Sequence, residues 1–446
     1  MYLRKIVTEL LAWKQKSNRK PLILRGARQV GKTSVVRQFS TNYAQYIYLN
    51  LEKEEDASLF RNFKSIDQLV EAVFFIKNVD ISQKENTLLF IDEIQEVPEA
   101  INFLRYFYEE YPKINVIAAG SLLETVLSQN IKIPVGRVEF KVLRPVNFEE
   151  FLGAMGEKAA LEMLNSAEVP AYAHDKLMQL FNTFTLIGGM PEVVKSYASE
   201  KDLGKLNIIY ESLLIGYQND FEKYAKNTSQ IQILRHILKT IGSETGNRIK
   251  FQEFGNSNYG SREIGEALRT LEKAMLIQLV YPCVSTKFPV QMDFKKSPKL
   301  QFLDTGLFNK LAGIQKELLL ASNVEAVYKG KVAEHIVGQE LLNSSFSPLN
   351  ELKFWTKENK DSNAEVDYLF ENNGLLLPIE VKLGASGRLR SLHSFIDQSV
   401  HNFGVRICSN SFNIENHKTI SGKAYKLMNM PFYLTSKLSE YANRNF

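Results

Sequence analysis

Short unbroken apolar runs alternate with longer amphipathic stretches over the first third of the chain. Pro21-Leu22-Ile23-Leu24, Tyr46-Ile47-Tyr48-Leu49-Asn50, Thr87-Leu88-Leu89-Phe90-Ile91 and Asn115-Val116-Ile117-Ala118-Ala119 read as strands, the longest of them buried on both faces of a sheet. Between them, residues 3–16 place Ile6, Leu10, Leu11 and Trp13 on one helical face, and residues 34–39 and 66–75 are also spaced as helices. Strands alternating with helices predict a parallel sheet, an α/β unit ending near Gly153. From about residue 154 to 285 helical spacing takes over, with Ile231, Ile233, Leu234 and Ile237, then Ile264, Leu268, Leu271 and Leu276. Gly188-Gly189-Met190-Pro191 predicts a corner between two helices. A strand-like stretch at 276–281 after these helices suggests a winged helix, a module that binds DNA or serves as a protein-interaction spacer. The pattern divides the chain into 1–153, 154–300 and 301–446.

The first strand runs into Gly26-Ala27-Arg28-Gln29-Val30-Gly31-Lys32-Thr33, a complete G-x-x-x-x-G-K-T, and Ser34 opens the helix behind it. Strand, glycine-rich loop and helix are the context this motif requires. The glycines let backbone N–H groups turn inward around a phosphate, and the helix N-terminus adds partial positive charge. Lys32 is expected to reach the β- and γ-phosphates and the Thr33 hydroxyl to ligate Mg²⁺. Asp92 and Glu93 close the third apolar run, at the strand end where parallel sheets present ligands. Asp92 is expected to hold Mg²⁺ through water and Glu93 to polarise the attacking water. The same two acids could instead cap the turn that follows; the phosphate loop upstream favours the metal role. Ser121, past the fourth run, is placed to sense a γ-phosphate. Arg137 either contacts nucleotide, in its own chain or from a neighbouring subunit, or is a solvated surface arginine. The guanine-selective Asn-Lys-x-Asp motif is absent, which favours ATP over GTP.

Length and charge change this picture little. A chain of 446 residues calls for several domains. A net charge of +5 permits nucleic-acid contact without requiring it. Two cysteines make neither a disulfide framework nor a zinc site and point to a reducing, cytoplasmic setting. No signal peptide is expected ahead of the first amphipathic helix, and no run approaches the roughly 20 apolar residues that span a bilayer.

A second chemical pattern lies near the other end. Asn373-Gly374 predicts a type I′ hairpin turn between strands over 365–372 and 375–383. That turn sets Asp367 opposite Glu380 and Glu365 opposite Lys382, with Cβ atoms about 4.5–5.5 Å apart for the first pair. Two carboxylates so close repel unless a cation or proton lies between them. A helix over 328–342 would add Glu334. Glu334, Asp367 and Glu380 binding Mg²⁺, with Lys382 assisting, form the metal-dependent nuclease constellation PD-(D/E)xK. The plain alternative is a Glu365–Lys382 cross-strand salt bridge with Asp367 facing water. An intermediate one is a nuclease-like fold kept as an interaction platform. Lys287, Lys295, Lys296 and Lys299 form a local basic cluster that by itself reads as a solvated face.

Several further stretches follow one another in a recognisable order: Phe90-Ile91-Asp92-Glu93-Ile94-Gln95, Ala119-Gly120-Ser121-Leu122-Leu123-Glu124, Leu143-Arg144-Pro145-Val146-Asn147-Phe148-Glu149-Glu150-Phe151, Gly188-Gly189-Met190-Pro191-Glu192-Val193, and Ser297-Pro298-Lys299-Leu300-Gln301-Phe302-Leu303-Asp304-Thr305-Gly306-Leu307. In them the chain resembles, over nearly its whole length, the prokaryotic AAA-type ATPases that carry a DUF4143 domain. The resemblance implies an ATPase core, a winged-helix-like middle and an α+β C-terminal domain similar to restriction-endonuclease folds. The expected function is ATP hydrolysis with Mg²⁺, the nucleotide state controlling a nuclease-like tail that acts on DNA. The alternative is a nucleotide-dependent switch for a protein partner, with a silent tail. Either is compatible with an oligomer.

Overall fold

Both faces of the first sheet are covered, which explains why its strands read as unbroken apolar runs. In the computed structural model, which describes residues 2–121, 134, 136–315, 330–359, 362–383 and 389–446, β1 (Leu22–Arg25), β2 (Gln45–Asn50), β3 (Thr87–Asp92), β4 (Asn115–Gly120) and β5 (Glu139–Val142) pair in the order β2-β3-β4-β1-β5. Every pairing is parallel. Along β3, Leu88 and Phe90 enter one apolar core while Leu89 and Ile91 enter another, the period of two that a strand imposes. β5 is the strand the apolar pattern does not show. It lies at the sheet edge, where Glu139, Phe140 and Lys141 are only half-buried, so no continuous apolar run marks it.

The middle is helical, as expected, with long helices at Leu206–Tyr224, Thr228–Glu244 and Ser261–Lys273. They lead into β6 (Ile277–Val280), paired antiparallel with β8 (Lys299–Phe302). Gly188 and Gly189 form the corner between helices His174–Ile187 and Pro191–Glu200. A Cβ on Gly189 would meet Val146 O at 2.1 Å, so only glycine fits. The Gly189 N–H donates to Asp304 Oδ2 at 2.6 Å, and Asp304 also caps helix Thr305–Leu311 through the Leu307 N–H at 3.0 Å. Burial pushes the Asp304 carboxyl up to about 6.

The C-terminal strands β9 (Lys353–Asn359), β10 (Ser362–Asn372), β11 (Leu375–Val381), β12 (Phe403–Cys408), β13 (Asn413–Lys418) and β14 (Ala424–Pro431), with β7 (Pro282–Cys283) from the middle part at one edge, form a mixed sheet in the order β13-β14-β12-β11-β10-β9-β7. Asn373 and Gly374 both have positive φ, 48° and 76°, as a type I′ turn demands. The predicted register holds from Asn372–Leu375 out to Tyr368–Ile379. Beyond it, a shift in the β9 pairing between Val366 and Leu369 bends β10 away from the simple ladder.

One apolar core runs from Leu24 and Phe90 through Phe148, Phe184 and Leu234 to Ile336 and Ile379, so the three parts share packing. A buried carboxyl sits at one of these joints. Glu340, in helix Lys331–Asn343, accepts the Phe148 N–H at 3.2 and 3.3 Å, and burial pushes it up to about 8. A carboxyl raised in this way stabilises the fold below its unfolded value near 4.3, and that contribution is lost as pH rises through about 8. Glu340→Gln keeps an acceptor and removes the titration. Its melting temperature, relative to the parent, is expected to climb between about pH 5 and pH 9; parallel curves for the two proteins would contradict this assignment.

Candidate nucleotide site and the acidic cluster of the C-terminal sheet

The glycine-rich loop leaves the carboxyl end of β1 and is shaped by what presses on it. At Gly26 an added Cβ would meet Leu143 O at 2.3 Å. Gly31, with φ 96°, is the N-cap of helix Lys32–Ser40, a left-handed position suited to glycine. Gln29 is also left-handed, with φ 65°. Ala27 and Val30 are buried and Ser34 is exposed on the first helical turn. Arg4 braces the loop: its Nη1 donates to Val30 O at 3.1 Å and its Nε lies 3.0 Å from Glu150 Oε2. The buried Lys32 ammonium donates to Gly26 O and Ala27 O, each at 3.0 Å. Burial lowers its pKa, opposed by the charges of Glu93 and Asp92.

The acidic tip of β3 meets this loop. Thr33 Oγ1 donates to Asp92 Oδ2 at 2.7 Å, the Tyr48 hydroxyl donates to the same oxygen at 3.2 Å, and the Glu93 N–H donates to Asp92 Oδ1 at 3.1 Å. Burial raises the Asp92 pKa, and the Thr33 bond opposes it. A hydroxyl and a carboxylate side by side are hard oxygen donors, the set that suits Mg²⁺. Glu93 is left-handed, φ 51°, at the N-cap of the turn Ile94–Glu96, yet its side chain makes no capping bond there. Its Oε2 instead accepts Gln95 Nε2 at 2.6 Å. Ser121 is buried just past β4, at the same sheet edge. Arg137 is not in this group. It precedes β5 at the amino end of the sheet, opposite the loop, and donates to Glu109 Oε1 at 3.1 Å.

Two contacts on the loop come from a helix the sequence motifs do not mark. The guanidinium of Arg28 is ion-paired with Asp220 of helix Leu206–Tyr224. The Tyr217 hydroxyl donates to Arg28 O at 3.3 Å, and the Tyr224 hydroxyl to Asp220 Oδ2 at 3.3 Å. Lys223 lies 3.8 Å from both Glu52 and Glu96. Positions 217, 220 and 224 share one helical face. The helix thus lies across the phosphate loop, but 192 positions separate Arg28 from Asp220, and no local pattern links them. Tyr48 is likewise visible only through the parallel register that sets it beside Phe90.

At the far hairpin the expected carboxylates lie against lysines. Lys299 Nζ lies 2.7 Å from Glu365 Oε1, 3.6 Å from Glu334 Oε2 and 4.0 Å from Asp367 Oδ1. Lys382 Nζ lies 2.7 Å from Glu380 Oε1, and Asp367 Oδ2 accepts the Val381 N–H at 2.8 Å. Among the described residues no group of three or more His, Cys, Asp or Glu side chains is arranged to hold a metal ion. Glu334, Asp367 and Glu380, the three residues expected to hold a metal, therefore have two lysines beside them, Lys299 and Lys382. The Glu365–Lys382 salt bridge does not form either, because β10 bends before Glu365 and turns it to Lys299. Burial alone would lower the Lys299 pKa; the charges of Glu334, Asp367 and Glu365 reverse that and raise it. Burial and the Asp367 charge raise both Glu334 and Glu380.

A parallel sheet, a glycine-rich loop opening a helix and an acidic strand tip bonded to the loop threonine define a P-loop ATPase fold. Family models agree: residues 18–152 match an AAA domain, 178–318 the domain of unknown function DUF8612, and 329–425 the domain of unknown function DUF4143. An AAA-domain match followed by a DUF4143 match toward the C-terminus is the combination that the sequence motifs resemble. Among solved structures it is similar to the Walker-type ATPase PABY2304 of Pyrococcus abyssi, at 16% identity and a TM-score of 0.43, covering 70% of this chain and 96% of that one. It is also similar to Cdc6p from Pyrobaculum aerophilum, at 12% identity and 0.25, covering 70% and 92%, and to PCH-2 of C. elegans, at 14% and 0.22, covering 38% and 50%. No curated protein matches. Among the described residues no helix is long and apolar enough to cross a membrane.

Proposed function

We propose that the chain binds and hydrolyses ATP with Mg²⁺ at the carboxyl edge of the parallel sheet, and that helix Leu206–Tyr224 carries the nucleotide state to the rest of the molecule. The observation that carries this reading is the 2.7 Å contact of Thr33 Oγ1 with Asp92 Oδ2, which joins the phosphate loop to the buried acidic strand. The loop N–H groups and Lys32 hold the phosphates; Lys32 exchanges its present carbonyl acceptors for phosphate oxygens. Thr33 and Asp92 are the residues that would hold Mg²⁺, which supplies Lewis-acid stabilisation of phosphoryl charge. Glu93, oriented by Gln95, polarises the attacking water, and Ser121 approaches the γ-phosphate from the neighbouring strand. Arg137 serves the nucleotide of a neighbouring subunit in an oligomer. Steady-state ATPase measurements test the reading: turnover should require Mg²⁺ and vanish with EDTA. Metal-independent release of phosphate would refute it.

The three parts, 1–153, 154–300 and 301–446, act here as motor, relay and effector. The helices Thr228–Glu244 and Ser261–Lys273 followed by the β6–β8 ribbon support a winged-helix relay. Asp220→Asn would free the Arg28 guanidinium beside the phosphates and is expected to tighten ATP binding by about three- to tenfold; unchanged affinity would show that the helix does not read the loop. For the tail, Lys299 within the carboxylates favours the switch reading, in which the tail engages a protein partner, over cleavage of DNA. Mg²⁺-dependent cleavage of DNA by the parent, lost in Glu380→Ala, would restore the nuclease reading.

A further inference from the structure

We infer that a second anion site, separate from the phosphate loop, lies where the three parts of the chain meet and takes a small phosphorylated ligand. A cavity of about 410 Å³ opens there, within the range of small-molecule sites. Arg25 and Arg144 line it from the first part, Arg269 and Lys273 from helix Ser261–Lys273, and Gln339 and Asn343 from helix Lys331–Asn343. Among the described lining residues four are cationic and two, Glu272 and Glu351, are carboxylates; Glu272 Oε1 accepts the Leu279 N–H at 2.8 Å.

Arg144 anchors the inference. Its guanidinium donates to Ser345 O at 2.8 Å and Asn350 O at 3.2 Å, both neutral carbonyls, and no carboxylate pairs with it among the described residues. Burial, and then the like charge of Arg25, pull its pKa down to about 10. A partly buried cation beside a second cation, with only neutral acceptors, is costly, and a bound anion relieves it. The planar guanidinium fork matches phosphate oxygens in pairs, and the surplus positive charge suits a phosphate dianion better than a single carboxylate. Ala27 also lines the cavity, so the ligand would rest against one end of the phosphate loop, and its occupancy could be felt there.

Inorganic pyrophosphate is the probe, titrated calorimetrically without Mg²⁺ into the full-length chain carrying Lys32→Ala, which cripples phosphate binding at the loop. One equivalent is expected to bind. Adding Arg269→Glu and Lys273→Glu, both at exposed positions and so compatible with the fold, is expected to weaken it by about tenfold or more. Arg144→Lys keeps the charge, loses the fork, and should weaken binding by a smaller factor. Abolition of binding by Lys32→Ala alone would make the cavity an annex of the ATP site and overturn the inference, as would binding indifferent to the charge reversals. Because the titration uses the loop-crippled chain, its outcome does not depend on whether the parent turns over ATP.

Discussion

Glu93→Gln is expected to lower ATP turnover by about two to four orders of magnitude while leaving ATP affinity close to the parent's. The side chain stands at the tip of β3, one residue past the Asp92 that bonds Thr33. Its backbone is turned into the left-handed region, and Gln95 Nε2 fixes one carboxylate oxygen at 2.6 Å. On the proposed reading the other oxygen orients a water. Glutamine has nearly the same shape and can keep the Gln95 contact, but its amide cannot take a proton or polarise water as a carboxylate does. None of the groups assigned to phosphate or metal, Lys32, Thr33 and Asp92, is altered. Asp92→Asn should behave differently, weakening nucleotide binding as well as turnover, because it disturbs the oxygen that meets both Thr33 and Tyr48. Single-turnover hydrolysis together with equilibrium nucleotide binding separates the two cases. If Glu93→Gln turned over ATP within about twofold of the parent, Glu93 would have no part in activating water.

Lys299→Met is expected to destabilise the chain by about 3–5 kcal/mol near neutral pH, the usual cost of stripping one partner from a buried ionic cluster. Methionine approximates the length of the lysine stem but removes the ammonium that lies 2.7 Å from Glu365 and 3.6 Å from Glu334. Three carboxylates would then face one another with too little positive charge between them. Because burial and neighbouring charge raise the Glu334 pKa, acidification should restore part of the loss by protonating the cluster. Divalent cation should do the same by a different route. Mg²⁺ is therefore expected to raise the melting temperature of Lys299→Met and to leave the tail of the parent unaffected. A parent stabilised by Mg²⁺ even with Lys32→Ala in place, and a Lys299→Met variant indifferent to it, would make the lysine a bystander at a true metal site.

These two sites differ in how far the sequence alone reveals them. The phosphate loop and the β3 tip lie in contiguous motifs, and the parallel sheet follows from unbroken apolar runs, so their meeting could be anticipated from pattern. The type I′ turn at Asn373-Gly374 was legible for the same reason, since only two residues set it. What fails beyond it is register. The expected Glu365–Lys382 pair assumed a straight ladder, and one irregularity near Val366 carries Glu365 to a lysine on β8. Lys299 looked like one of four clustered surface lysines; its burial depends on the packing of β8 against the tail. Arg28–Asp220 and the cavity beside Arg144 are likewise long-range products of one continuous core. Arg137 shows the converse: its loop context leaves open which nucleotide it faces, and only the parallel direction of β5 shows that it stands at the amino end of its own sheet.

Equilibrium binding of Mg²⁺·ATP to the parent chain and to Lys32→Ala bears most directly on the nucleotide site. One ATP per chain is predicted for the parent at the phosphate loop, with affinity falling by about tenfold or more in the variant. A parent that takes up no adenine nucleotide, or a variant that binds it equally well, would contradict the account.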